Sequence, residues 1–124
     1  MADEKNSYLI KSDQYGSVRI TPDVINTMAA LAALDVEDVT SVGGNITKET
    51  VAKHSVKNLG KFVRTEVLEN VISVDIAISL VFGSSIPTLV PQVQEKGKEI
   101  IENMTGLNVA DVNVKIIGVD EEQA

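Results

Sequence analysis

The residue types that perform acid–base, nucleophilic or metal chemistry are few in this sequence, and their spacing is wrong for it. His54 is the single histidine and there is no cysteine. No serine–histidine–acid arrangement surrounds His54, and it falls in the least regular stretch of the chain. It therefore reads as a solvated residue rather than a general base. The absence of thiols removes thiolate nucleophiles, zinc–thiolate sites and iron–sulfur clusters. Glu37-Asp38 and Asp120-Glu121-Glu122 are adjacent acidic groups, but neither has the spacing and glycine of a calcium loop. The Gly43-Gly44 pair in GGNITK has neither phosphate-loop nor dinucleotide spacing, and reads as a turn. The sequence thus predicts no catalytic residue, no metal site, no cofactor and no enzymatic activity.

Binding is better supported. Asp75 is a charge in the middle of the most regular apolar alternation in the chain. It is either a contact residue on an open sheet face or the cross-strand partner of Arg64 or Arg19. The pairing is the simpler expectation and contributes about 0.2–1 kcal/mol. The second feature is basic. Lys48, Lys53, Lys57, Lys61 and Arg64 are five of eleven basic residues in a chain of net charge −7, and only Glu49 opposes them in that span. This is either solvated surface or a docking site for an anionic partner: acidic protein, anionic lipid headgroups, nucleic acid or an anionic polymer. Clustered lysines on an acidic protein steer such partners and make association salt-sensitive. The acidic balance, and a set of aromatics limited to Tyr8, Tyr15, Phe62 and Phe82, argue against nucleic acid.

These residues need elements to position them. Residues 1–13 are polar, without the apolar core of a signal peptide, and read as a flexible tail. Tyr15 to Ile20 reads as a strand. Thr21-Pro22-Asp23 then opens a helix to about Leu34, with Val24, Ile25, Met28, Leu31 and Ala32 as its buried face. Val36 to Val42 reads as a strand, and Thr47 to Leu59 as a short helix with a poor apolar stripe. Phe62 to Leu68 and Val71 to Phe82 read as paired strands. In the second, Ile72, Val74, Ile76, Ile78, Leu80 and Phe82 face the core. A helix follows to about Met104, with Val93, Gly97, Ile100, Ile101 and Met104 inward. Pro91 fits its first turn if Thr88 is the cap. Val109 to Val119 is a last strand, and 120–124 an acidic tail. LDVEDV at 34–39 is echoed by LNVADV at 107–112, each after a helix and opening a strand. The expected fold is a two-layer α/β (α+β) domain over 14–119. It has a mixed sheet, two main helices on one face, and strand–helix–strand units with right-handed crossovers.

GSVRITPDVINTMAALAALDVEDV, and VISVDIAISLVFGSSIPTLVPQVQEKGKEIIENMTGLNVADVNVKIIGV after it, resemble the alkaline-shock protein family, the Gls-type envelope stress response proteins of Gram-positive bacteria. The resemblance covers roughly residues 15–119. Asp38-Val39 and Phe62-Val63 depart from the glycine-valine often found there, and Pro91 and Gly97 fall where the family usually continues an ordinary helix. The resemblance implies no catalytic residues. It implies a cytoplasmic protein, held near the membrane by a separate membrane-anchored partner, that acts in envelope homeostasis and stress. A branch of the family similar to this chain is associated with acetyl-CoA carboxylase. The expected function is a non-enzymatic scaffold or regulatory interaction protein, forming a homo-oligomer. One alternative is a protein-contact regulator of acetyl-CoA carboxylase and fatty-acid synthesis. Another is an RNA-binding module, against which stand the acidic balance and the lack of strand aromatics and of a GxxG loop.

Overall fold

The computed structural model describes residues 7–44, 46–47 and 61–121. The elements are β1 (Tyr8–Asp13), β2 (Gly16–Ile20), α1 (Pro22–Leu34), β3 (Val39–Val42), β4 (Val63–Leu68), β5 (Val71–Val81), α2 (Ile86–Thr105) and β6 (Asn108–Asp120). The fold is α+β, with a mixed sheet and both helices in contact with it and with each other.

Period-two alternation makes β5 the centre of the sheet. Ile72, Val74, Ile76, Ile78 and Leu80 are buried, while Asp75 between them is exposed. β6 runs parallel to β5 along its whole length. On the other side, β4 pairs antiparallel with the first half of β5 and β3 with its end. The core lies between this sheet and the helices. α1 contributes Ile25, Met28 and a run of alanines, and α2 contributes Leu89, Val93 and Ile101. Small side chains at Ala29, Ala30, Ala32 and Ala33, all buried, let α1 lie close to both the strands and α2.

Several expectations are corrected. Tyr8–Asp13, read as tail, forms β1 and pairs antiparallel with β2. Its tight turn is held by Tyr15 N donating to Asp13 Oδ1 at 2.8 Å. That pairing also means that β2–α1–β3 is not a strand–helix–strand unit of the main sheet, because β2 lies in the separate hairpin. β5–α2–β6 is such a unit. β3 starts only at Val39, because Asp38 adopts a left-handed backbone at φ +78°. The buried arc of α1 centres on Ala29 and Ala33, which turns Val24 and Leu31 to solvent. Phe82 lies beyond β5 in a turn through Gly83 (φ +96°), and is 76% exposed.

α2 starts earlier than its prolines suggest. Ser85 is the N-cap, and its carbonyl accepts from Leu89 N at 2.9 Å. Pro91 is therefore inside the helix, where its missing amide leaves the Pro87 carbonyl without the usual i→i−4 partner. At the other end Gly106 caps the helix at φ +76°. Met104 is exposed. Thr105 takes the inner position instead, donating to Ile101 O at 2.7 Å and accepting from Leu107 N at 3.1 Å. The predicted helix over Thr47 to Leu59 lies outside the described residues except at Thr47.

Candidate functional site: the open face of the sheet

α1 and α2 cover the face of β5 that carries its apolar residues. The opposite face carries rows of residues set by strand register. In one row Arg64, Asp75 and Asn113 stand side by side on β4, β5 and β6. In the next, Lys115 is the β6 partner of Ala77, whose amide donates to Phe62 O at 2.8 Å. Together with Lys61 and Ile117 these residues line a groove of about 660 Å³.

One wall depends on a glycine. Gly43 has φ +67°, and a Cβ there would lie 2.2 Å from Cγ of Phe62. No other residue permits the ring to sit so close, so Gly43 sets the position of Phe62 at the groove. The floor is the β5 backbone around Ala77, whose small side chain leaves the space open.

The polar groups follow the β6 side rather than the β4 side. Asn113 Nδ2 donates to Asp75 Oδ1 at 2.8 Å and to Asp111 Oδ1 at 3.3 Å. Ser73 Oγ donates to Asp111 Oδ1. The expected cross-strand charge pairing of Asp75 with Arg64 or Arg19 is thus not made. Arg64 is opposite it in register, but no ion pair joins them among the described residues, and Asp75 bonds to Asn113 instead. Arg19 is not a partner either, since it lies in the β1–β2 hairpin.

Of the basic residues singled out in the sequence, Lys61 and Arg64 reach the groove together with Asp75. Lys48, Lys53 and Lys57 lie outside the described residues, as does His54. Sequence reasoning missed Asn113, Lys115 and Ile117. The signal for the first two was present: Asp111, Asn113 and Lys115 alternate with Val112, Val114 and Ile116, so the polar side of β6 could have been read as readily as its apolar side. Among the described residues no group of three or more histidines and carboxylates is placed to hold a metal ion. What the groove offers is binding chemistry. Exposed guanidinium and ammonium groups stand beside an aromatic ring and an isoleucine, a surface suited to carboxylate-bearing partners with some apolar area.

A sequence profile of the Asp23 family, described as having a cell envelope-related function, matches residues 10–121. (The family name is unrelated to the residue Asp23.) The protein YqhY of Bacillus subtilis (strain 168) is 33% identical over 119 residues, which is 93% of this chain and 88% of YqhY. A Streptococcus pyogenes stress response regulator, a gls24 homolog, is 26% identical over 112 residues, which is 87% of this chain and 61% of the relative. Among solved structures, a variant of MamM CTD superposes with a TM-score of 0.47 at 12% identity, over 77% of this chain and 93% of that one.

Proposed function

We propose that this chain, which belongs to the Asp23 family, works in the cell-envelope stress response as a non-enzymatic scaffold or regulator that holds an acidic protein partner on the open face of its sheet. The coarse part of this reading rests on the family's cell envelope-related function and on the stress-response role named for the gls24 homolog. The observation that carries the finer part is the groove. Lys61 and Arg64 project into it and have no ion-pair partner among the described residues, beside Phe62 and Ile117.

An acidic segment of a partner would place carboxylates on Lys61 and Arg64 and an apolar side chain on Phe62. The remaining lysines, Lys48, Lys53 and Lys57, immediately precede this wall in sequence and would extend the attraction to longer acidic stretches. No helix among the described residues is long and apolar enough to cross a membrane. In this reading, placement at the envelope comes through the partner.

Site-specific photo-crosslinking in stressed cells tests the proposal. A crosslinking residue replacing Lys61 should trap a discrete acidic protein, and one replacing Gln92 on α2 should not. The variant Lys61→Gln/Arg64→Gln should fail to restore envelope-stress resistance to cells that lack the protein. Full restoration, or identical products from both positions, would remove the groove from the function. Capture of acetyl-CoA carboxylase subunits would move the role to fatty-acid synthesis, and capture of RNA would refute a protein partner.

A further inference from the structure

Among the described residues β6 pairs only with β5, so the other edge of this thirteen-residue strand is unpaired. Such an edge is a template for another strand. It is not uniform. The register with β5 shifts between Val109 and Asp111 and again between Ile116 and Gly118, so residues 111–116 form one regular stretch bracketed by bulges. α2 also reaches to this strand. Val109 N donates to Glu102 Oε2 at 3.0 Å, and Gln94 Nε2 donates to Val112 O at 3.1 Å. Between the helix and the strand runs a groove of about 430 Å³, with Pro91, Gln94 and Lys98 on the helix side.

We propose that this edge and groove receive the β6 strand of a second copy of the chain, antiparallel, about a two-fold axis at Asn113. The occupant is specified by charge. Asp111, Asn113 and Lys115 all lie on the open face, paired in register with Ser73, Asp75 and Ala77. The Ala77 amide and carbonyl bond to Phe62 and Gly43, away from β6. Val74 and Ile76 therefore turn theirs to β6 and meet the backbones of Asp111, Asn113 and Lys115, which leaves those of Val112 and Val114 pointing outward. Antiparallel pairing centred on Asn113 sets Asp111 against the partner's Lys115 and Lys115 against the partner's Asp111. It also sets Val112 against the partner's Val114. Moving the centre by one residue destroys the match: at Val112, Asp111 meets the partner's Asn113, and at Val114, Asn113 meets the partner's Lys115.

Charges on an edge strand often deter pairing. Here opposite signs lie two residues to either side of one point, which makes the segment complementary to itself, as a two-fold interface requires. Lys115 has no ion-pair partner among the described residues, and the second copy supplies one. Gln94 need not leave, because a carbonyl oxygen accepts two hydrogen bonds. The product is one continuous sheet across two protomers. Lys115 is then neutralised, and Lys61 and Arg64 remain as the cations of each open-face groove.

The chain has no cysteine, so Asn113→Cys introduces a single thiol. Across the two-fold, residue 113 faces its own copy as a non-hydrogen-bonded pair, at a Cα separation of about 4.5 Å that a disulfide spans. Mild oxidation should link this variant into dimers at least about tenfold faster than Gln92→Cys, whose thiols have no reason to meet. In sedimentation, Lys115→Glu should weaken the dimer by about tenfold, and Asp111→Lys/Lys115→Glu should restore it. Hydrogen exchange on the unmodified chain needs no variant to fold: the Val112 and Val114 amides should become protected as protein concentration rises. A chain that stays monomeric at every concentration overturns the proposal. So does a dimer that cross-links no faster at position 113 than at 92, or that is indifferent to the charge reversal.

Discussion

Asn113 stands between two carboxylates, donating from one nitrogen to Asp75 on the neighbouring strand at 2.8 Å and to Asp111 on its own at 3.3 Å. It bridges two carboxylates that are diagonal neighbours across the strands, since Asp111 stands opposite Ser73 and Asn113 opposite Asp75. Asn113→Asp should therefore lower stability by about 1 kcal/mol, near the upper end for like charges across strands. The loss should shrink in high salt, because all three groups are exposed. Thermal unfolding at two ionic strengths measures both effects, and a salt-independent loss would point to packing instead.

Ile76 and Ala77 are neighbours on β5 with opposite fates. Ile76 is 3% exposed in the core, whereas Ala77 is half-buried on the open face. Ile76→Asp should cost more than about 4 kcal/mol and yield unfolded or aggregated protein, because a charge is buried without a partner. Ala77→Asp should remain folded. Circular dichroism of the two variants decides, and equal melting temperatures would mean that the facing of β5 is wrong.

Gly43→Ala should destabilise by about 1–3 kcal/mol, since the position combines a left-handed backbone with a Cβ directed into the Phe62 ring. Adding Phe62→Ala should recover the steric part but not the backbone part. Urea unfolding of the single and double variants separates the two.

Pro91→Ala should stabilise α2. It supplies the amide that the Pro87 carbonyl lacks, and an interior proline costs about 3 kcal/mol relative to alanine. The gain will be smaller than that figure, because proline also restricts the unfolded chain. A raised melting temperature is expected, and a lowered one would mean that Pro91 packs against something the helix needs.

Lys61→Gln/Arg64→Gln should leave stability within about 0.5 kcal/mol of the parent, because both side chains are exposed and neither is in an ion pair among the described residues. Partner capture should fall, and raised salt should mimic the loss on the unmodified chain. Loss of capture together with a large drop in melting temperature would mean that the variant acts through the fold.

The amino-acid sequence by itself determined the family, the α+β class, the central strand and its buried side, and both helices, because alternation, helical periodicity and end signals such as Gly106 are local. It also marked Lys61, Arg64 and Asp75, whose charges are conspicuous among apolar neighbours. Tertiary structure decided what those residues meet. Asp75 had two plausible neighbours in sequence terms, and only the pairing of β5 with β6 showed that Asn113, thirty-eight positions away, holds it. The same applies to Val24, Leu31 and Met104. Periodicity assigns apolar residues to a stripe, but how far round the helix burial extends depends on what packs against it, and α1 is enclosed by strands and a second helix at once. Pro91 and the β1 strand failed for a related reason. Local rules price an interior proline or a polar strand in isolation, whereas contacts distant in sequence, such as the hairpin register and the packing of α2 on β6, supply the free energy that overrides them.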